Sequence, residues 1–251
     1  MRLPISWGNL EPFPGAFYHP YLGNYVDRDV RWAKKHGLYI VLDMHQFNWA
    51  QRFGGVDAPE WTVAKYSPTD LGKRQAVSDF WNNTELQTHF INLWGKIAQR
   101  YVQESSIVGY DNASHVKAFY TRAITAIRKV DVNHLFFLEP ANLQAAAFPL
   151  KQNIVWSPHF YKLSFARMYY PQNITLLKSD FFAKYKKFVL DIGGPMWIGE
   201  FGAFMKDSTS SRGWLQDAIK IFNKYQTGWA WWAFDQNGPE SVLSYLSSAN
   251  A

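Results

Sequence analysis

Short apolar runs rich in β-branched and aromatic residues alternate along the chain with longer segments of helical period. The runs Arg2–Trp7, Tyr39–His45, Ile107–Asp111, Leu135–Pro140, Ile154–Tyr161, Met196–Gly199 and Gly228–Phe234 predict seven strands. Most are apolar on both faces, as expected of a parallel sheet covered on each side. Helices fill the gaps. Leu22, Tyr25, Val26, Val30 and Ala33 share one face ahead of Gly37, which predicts a C-terminal cap. Leu86, Phe90, Leu93, Ile97 and Tyr101 repeat at three and four residues, and Thr84 with Gln87 offers a capping box. Val116, Phe119, Ala123, Ile127 and Val130 form another such stripe, as do Leu215, Ala218 and Phe222. Asp180 to Leu190 reads as a further amphipathic helix. No linker or low-complexity stretch interrupts the pattern, so residues 1–251 are expected to form a single domain.

Polar and ionisable residues gather where these strands end: Asp43, His45, Asp111, Glu139, His159, Tyr161, Glu200 and Asp235. Seven strands would also suit an open doubly wound sheet, but no Gly-rich phosphate loop follows any of them. Chemistry concentrated at the C-terminal ends of alternating strands favours an α/β fold of the (β/α)₈ TIM-barrel class.

Composition narrows this picture. With 251 residues, 47% hydrophobic and only 18% charged, the chain can bury a large core and is not disordered. Twelve Trp and 14 Tyr suit a bulky core, which accounts for many of these rings, and others could line a cleft for the flat apolar faces of sugars. The formal net charge of +6 is scattered. Its densest run, Lys184 to Lys187, lies on a helix face, so a nucleic-acid partner is not expected. There is no cysteine from which to infer a redox compartment. No apolar run of about 18 residues is present, and the strand-like start after Met1 gives no sign of a signal peptide.

Six motifs come in order: Arg2-Leu3-Pro4, Asp43-Met44-His45-Gln46, Phe53-Gly54-Gly55, Pro158-His159-Phe160-Tyr161, Ile198-Gly199-Glu200-Phe201-Gly202 and Gly228-Trp229-Ala230-Trp231-Trp232. In this order and spacing the chain resembles glycoside hydrolase family 5, the cellulase family, over nearly its whole length. That resemblance implies a retaining (β/α)₈ enzyme that needs no metal or organic cofactor. Its partner would be a β-linked oligo- or polysaccharide, cleaved as an endo-β-1,4-glucanase does. Retention uses two carboxyl groups about 5–5.5 Å apart, one as nucleophile and one as acid/base. By resemblance Glu200 is the nucleophile, Arg2 holds it ionised and oriented, and Tyr161 donates a hydrogen bond to it. His45 and His159 would bind sugar hydroxyls or support the acid, and Trp232 would floor the reacting subsite. Structural alternatives stand beside these roles: a helix N-cap or salt-bridged acid for Glu200, a surface arginine for Arg2, hydrogen-bonded core histidines for His45 and His159, and a core filler for Trp229 or Trp231. Two strand-end histidines without a third ligand at metal spacing do not predict a metal site.

The chain departs from the family in one place that matters. The family's acid/base glutamate follows the fourth strand in an Asn-Glu-Pro motif, whereas here Asp111 is followed by Asn112-Ala113-Ser114-His115. No glutamate occurs between Glu104 and Glu139, and the family commonly carries a structural acid where Glu139 stands. The barrel's first β/α unit also has no counterpart, since Arg2 falls on the family's second strand. Missing residues, a deletion form, or a different acid are the open explanations. Endoglycoceramidase and β-mannanase, which belong to the same family, are rival activities, because the segment from Gln46 to Trp61 resembles endoglycoceramidases as much as cellulases. An inactive, carbohydrate-binding barrel is the rival outside catalysis. A polymeric substrate implies an extracellular or cell-surface location.

Overall fold

The computed structural model describes residues 1–114, 117–140, 153–162, 174–203 and 208–234. They fall into two compact units divided between Ile154 and Val155.

In the first unit β1 (Arg2–Ile5), β2 (Ile40–Met44), β3 (Ile107–Ser114) and β4 (Leu135–Pro140) pair in parallel in chain order. Parallel neighbours need long crossovers, and helices supply them. Asp27–Lys35 joins β1 to β2, Asp70–Asn82 and Thr84–Tyr101 join β2 to β3, and Lys117–Arg128 joins β3 to β4. Register sorts the side chains. Leu42, Tyr110 and Phe136 stand side by side on one face, while Asp43 and Asp111 are opposite each other on the other. The apolar face meets helix Thr84–Tyr101, which buries Phe90, Leu93, Trp94, Ile97 and Tyr101. The Trp94 and Tyr110 rings lie 5.5 Å apart.

The second unit carries the end of β5 (Ile154–Trp156) together with β6 (Trp197–Phe201) and β7 (Gly228–Trp231). Parallel bridges join Trp156 to Met196 and His159 to Glu200, and β6 pairs in parallel with β7. Phe160, Phe181, Phe201, Trp214 and Phe222 are buried among helices Ile174–Tyr185 and Ser208–Lys224. Gly199 permits a close approach here, since a Cβ would sit 2.2 Å from Ser157 Oγ and force that hydroxyl to turn away.

All seven expected strands are present, with three local differences. Helix Asp70–Asn82 had no periodic signal, because it buries only Gly72, Ala76 and Phe80. Trp7 opens the short helix Trp7–Leu10 instead of ending a strand, since Asp57 Oδ1 accepts its N–H at 2.8 Å. The cap of helix Thr84–Tyr101 is Asn83 and not Thr84: Asn83 Oδ1 accepts the N–H groups of Glu85 and Leu86 at 2.9 and 3.2 Å. The Gln87 amide instead donates to the carbonyls of Phe80 and Trp81. Asp235 lies outside the described residues. Among the described residues no helix is long and apolar enough to cross a membrane.

The capping geometry gives a measurable expectation. Asn83→Ala should cost about 0.5–2 kcal/mol in urea unfolding, and Thr84→Ala distinctly less. Equal losses would return the cap to Thr84.

Candidate active site

Two polar constellations occupy strand ends, one in each unit. In the first, the buried side chain of Arg2 reaches three carboxylates on three successive strands. Its Nε donates to Asp111 Oδ2 at 2.8 Å, and its Nη2 donates to Asp43 Oδ1 at 3.1 Å and to Glu139 Oε1. The parallel register makes this possible, since Asp43 and Asp111 are direct neighbours on one face. Glu139 sits one pleat further along β4, opposite Ala113. Asp43 extends the network by accepting from His45 Nδ1 at 3.0 Å. That bond leaves Nε2 of a neutral His45 as an acceptor.

Three carboxylates share one guanidinium. Burial, followed by the charges of Glu139 and Asp43, raises the Asp111 carboxyl well above its ordinary value, against the opposing pull of Arg2. Oxygens of the three carboxylates come within 4.8 Å of one another, a spacing that suits a cation, and the cation they surround is Arg2 itself.

In the second unit Glu200 is buried near the end of β6. Tyr161 Oη donates to its Oε1 at 2.5 Å, and His159 Nε2 stands 3.7 Å from its Oε2. The His159–Glu200 bridge sets this arrangement: Phe160 N–H donates to the Glu200 carbonyl at 2.9 Å, which places the two flanking side chains beside the carboxylate. Trp232 follows β7, half-exposed, with its N–H on the Phe201 carbonyl at 2.8 Å and a cis peptide bond to Ala233. Glu200, Tyr161, His159 and Trp232 are thus gathered around one strand end. Arg2 and His45 belong to the carboxylate network of the other unit. Sequence reading noted Asp43, Asp111 and Glu139 as strand-end acids but not as partners of Arg2, because nothing local in the sequence joins positions 109 and 137 residues apart.

Parallel strands with ionisable and aromatic residues at their C-terminal ends are where an α/β barrel keeps its active site. Residues 1–238 match Cellulase (glycosyl hydrolase family 5), and the chain belongs to that family. It is 26% identical to a β-xylosidase of Phanerodontia chrysosporium, over 97% of this chain and 55% of that protein. It is 23% identical to endoglucanase C of Acetivibrio thermocellus, over 64% of this chain and 46% of the relative. The chain therefore spans about half the length of the curated relatives it matches. Among solved structures, endo-glycoceramidase II from Rhodococcus sp. with a cellobiose-like imidazole superimposes with a TM-score of 0.82. The identity is 23%, over 96% of this chain and 66% of the other. Thermotoga maritima Cel5A with mannotriose gives 0.75 at 19% identity, covering 98% and 81%. The fold class is the (β/α)₈ barrel, and the family to which the chain belongs is one of glycosyl hydrolases.

Removing the guanidinium should expose the imbalance it offsets. Arg2→Met is expected to lose about 3–5 kcal/mol of stability at pH 7, since buried charges are left without a partner. Asp111 already binds its proton more tightly folded than unfolded, and the loss of Arg2 raises it further. The deficit carried by Asp111 should therefore open as pH rises through its folded value, well above the ordinary carboxylate range, and close below it. Urea unfolding across pH 4–8 measures this, and a pH-independent deficit would contradict it.

Proposed function

We propose that the protein is a retaining β-glycosidase acting on β-1,4-linked glucosyl units, with Glu200 as nucleophile. The observation that carries this reading is the Glu200 carboxylate itself, buried at a strand end, held by Tyr161 and faced by His159. The Tyr161 hydroxyl occupies Oε1 and fixes the plane of the carboxylate, so Oε2 is the oxygen that attacks the anomeric carbon. As negative charge leaves Oε2 in forming the glycosyl ester, the hydrogen bond on Oε1 weakens, and it strengthens again when water frees the carboxylate. Tyr161 therefore favours departure of the sugar as much as orientation of the nucleophile. His159 and Trp232 are assigned to the reacting sugar, the first to a hydroxyl and the second to the ring face. Arg2 and His45 are assigned to the same substrate through the family resemblance.

The glucan preference is supported by the endoglucanase relative, while the names of other relatives point to xylosides, mannans and glycosylceramides. A second reading, an inactive carbohydrate-binding barrel, draws on the missing glutamate after β3, where Asp111 leads directly into Asn112-Ala113-Ser114. The two readings part on aryl glycosides. These need little proton assistance at the leaving oxygen, so a Glu200 enzyme without an acid still cleaves them and a pure binder does not. An extracellular or cell-surface location is part of the proposal, because a polymeric substrate is met outside the cell.

Incubation with an activated 2-fluoro cellobioside should add one glycosyl mass to the intact protein, located on Glu200 by peptide mapping and absent from Glu200→Gln. Failure to label would remove the nucleophile assignment. Tyr161→Phe should lower kcat/KM for an aryl cellobioside about 10-fold or more, the scale of one hydrogen bond to a charged group. An unchanged kcat/KM would show that the bond has no part in the reaction.

A further inference from the structure

A cavity of about 500 Å³ lies within the first unit, outside the residues assigned to the reaction. Its floor is aromatic and buried: Trp7, Phe80, Phe90 and Phe119. Trp49 and Trp81, both half-buried, stand over that floor, with ring centroids 5.3 and 4.9 Å from Phe80. The polar lining comes from the loop after β2, through Gln46, Asn48 and Asp57, and from helix Asp70–Asn82, through Lys73, Arg74 and Ser78. Met44 and Gln46 face the cavity and flank His45 in sequence, so it backs onto the strand end that carries His45.

That loop is held in an unusual conformation. Five described non-glycine residues have positive φ, and Asn48 (49°), Trp49 (73°) and Asp57 (115°) are three of them. All three line this cavity. The loop is clipped by reciprocal bonds between Phe47 and Val56, and Gly55 packs so closely on Phe47 that a Cβ would lie 2.0 Å from its carbonyl oxygen. Backbone strain of this kind persists where surrounding structure enforces it, and it concentrates at ligand-holding segments. Asp57 is more than nine-tenths buried, with one carboxylate oxygen on the Trp7 N–H. Burial raises its carboxyl well above the ordinary value.

The lining selects among ligands. A purely apolar guest would cover the Asp57 carboxyl and the Asn48 and Gln46 amides without satisfying them. Of the two cations that line the cavity, Lys73 is engaged by Asp70 at 3.1 Å and Asn48 at 3.4 Å and Arg74 is exposed, so the buried polar group that a ligand meets is the Asp57 carboxyl. A neutral ring with an apolar face and hydroxyls at its edge satisfies both the indoles and the planar polar groups. We propose that this cavity is a separate binding site for a glycosyl unit of a neutral β-linked saccharide, gripped by Trp49, Trp81, Gln46, Asn48 and Asp57. The choice of ligand rests on the glycosidase reading, but the site does not depend on Glu200.

The test blocks one site and titrates the other. Protein labelled at Glu200 with the 2-fluoro cellobiosyl group should still bind cellobiose by calorimetry. Trp81→Ala, labelled in the same way, should bind about 2- to 10-fold more weakly, the scale of one aromatic contact. Gln46→Ala, a change at an exposed side chain, provides a second variant should Trp81→Ala fail to fold, and it should also weaken binding. Loss of all cellobiose binding on labelling, or unchanged affinity in the variants, overturns the proposal. If Glu200 takes no label, the nucleophile assignment falls by itself. Cellobiose binding to the unlabelled protein, weakened in the same variants, would then still support this site.

Discussion

One guanidinium organises the first unit. Arg2 is bound to a carboxylate from each of β2, β3 and β4, so four consecutive strands converge on a single cation. Burying that much charge is favourable only if every member is paired, and the parallel register supplies the pairing by setting Asp43 beside Asp111. The arrangement also orients His45, because the Asp43 oxygen not used by Arg2 accepts from the imidazole. A side chain assigned to substrate is therefore positioned by the same charge balance that holds the sheet together on its polar face.

In the second unit a different device achieves a comparable end. The chain crosses close to itself where Gly199 lies against Ser157, and one parallel bridge further on His159 meets Glu200. The alternation of a strand then does the rest. Phe160 turns into a cluster with Phe181, Phe201 and Phe222, while His159 and Tyr161 turn toward the carboxylate. The aromatic core fixes the backbone, and the backbone fixes the hydrogen bonds of the Glu200 carboxylate.

Asp111 illustrates how far the family pattern carries and where it stops. Its strand continues to Ser114 in register with β4, so the segment that bears an acid/base glutamate in other family members is here an ordinary paired strand. The acids nearest to it, Asp111 and Glu139, are both bound to Arg2. Of the two carboxyl roles that retention requires, only the nucleophile is assigned to a residue of this chain.

Much of this was legible in the sequence, for a physical reason. Strands buried on both faces must be apolar runs, and crossover helices must carry an apolar stripe, so the seven strands and the long Thr84–Tyr101 helix announced themselves through local periodicity. The positions of Glu200, His159 and Tyr161 at strand ends followed from the same pattern. Helix Asp70–Asn82 did not, since glycine and alanine supply most of its buried face, and the Asn83 cap could not be told from Thr84 by residue type alone. The partners of Arg2 and the strained loop from Asn48 to Asp57 were decided only by tertiary structure. An ion pair across 109 residues depends on strand register, and a positive φ at Trp49 or Asp57 is imposed by what surrounds it. Neither leaves a trace in the order of neighbouring residues.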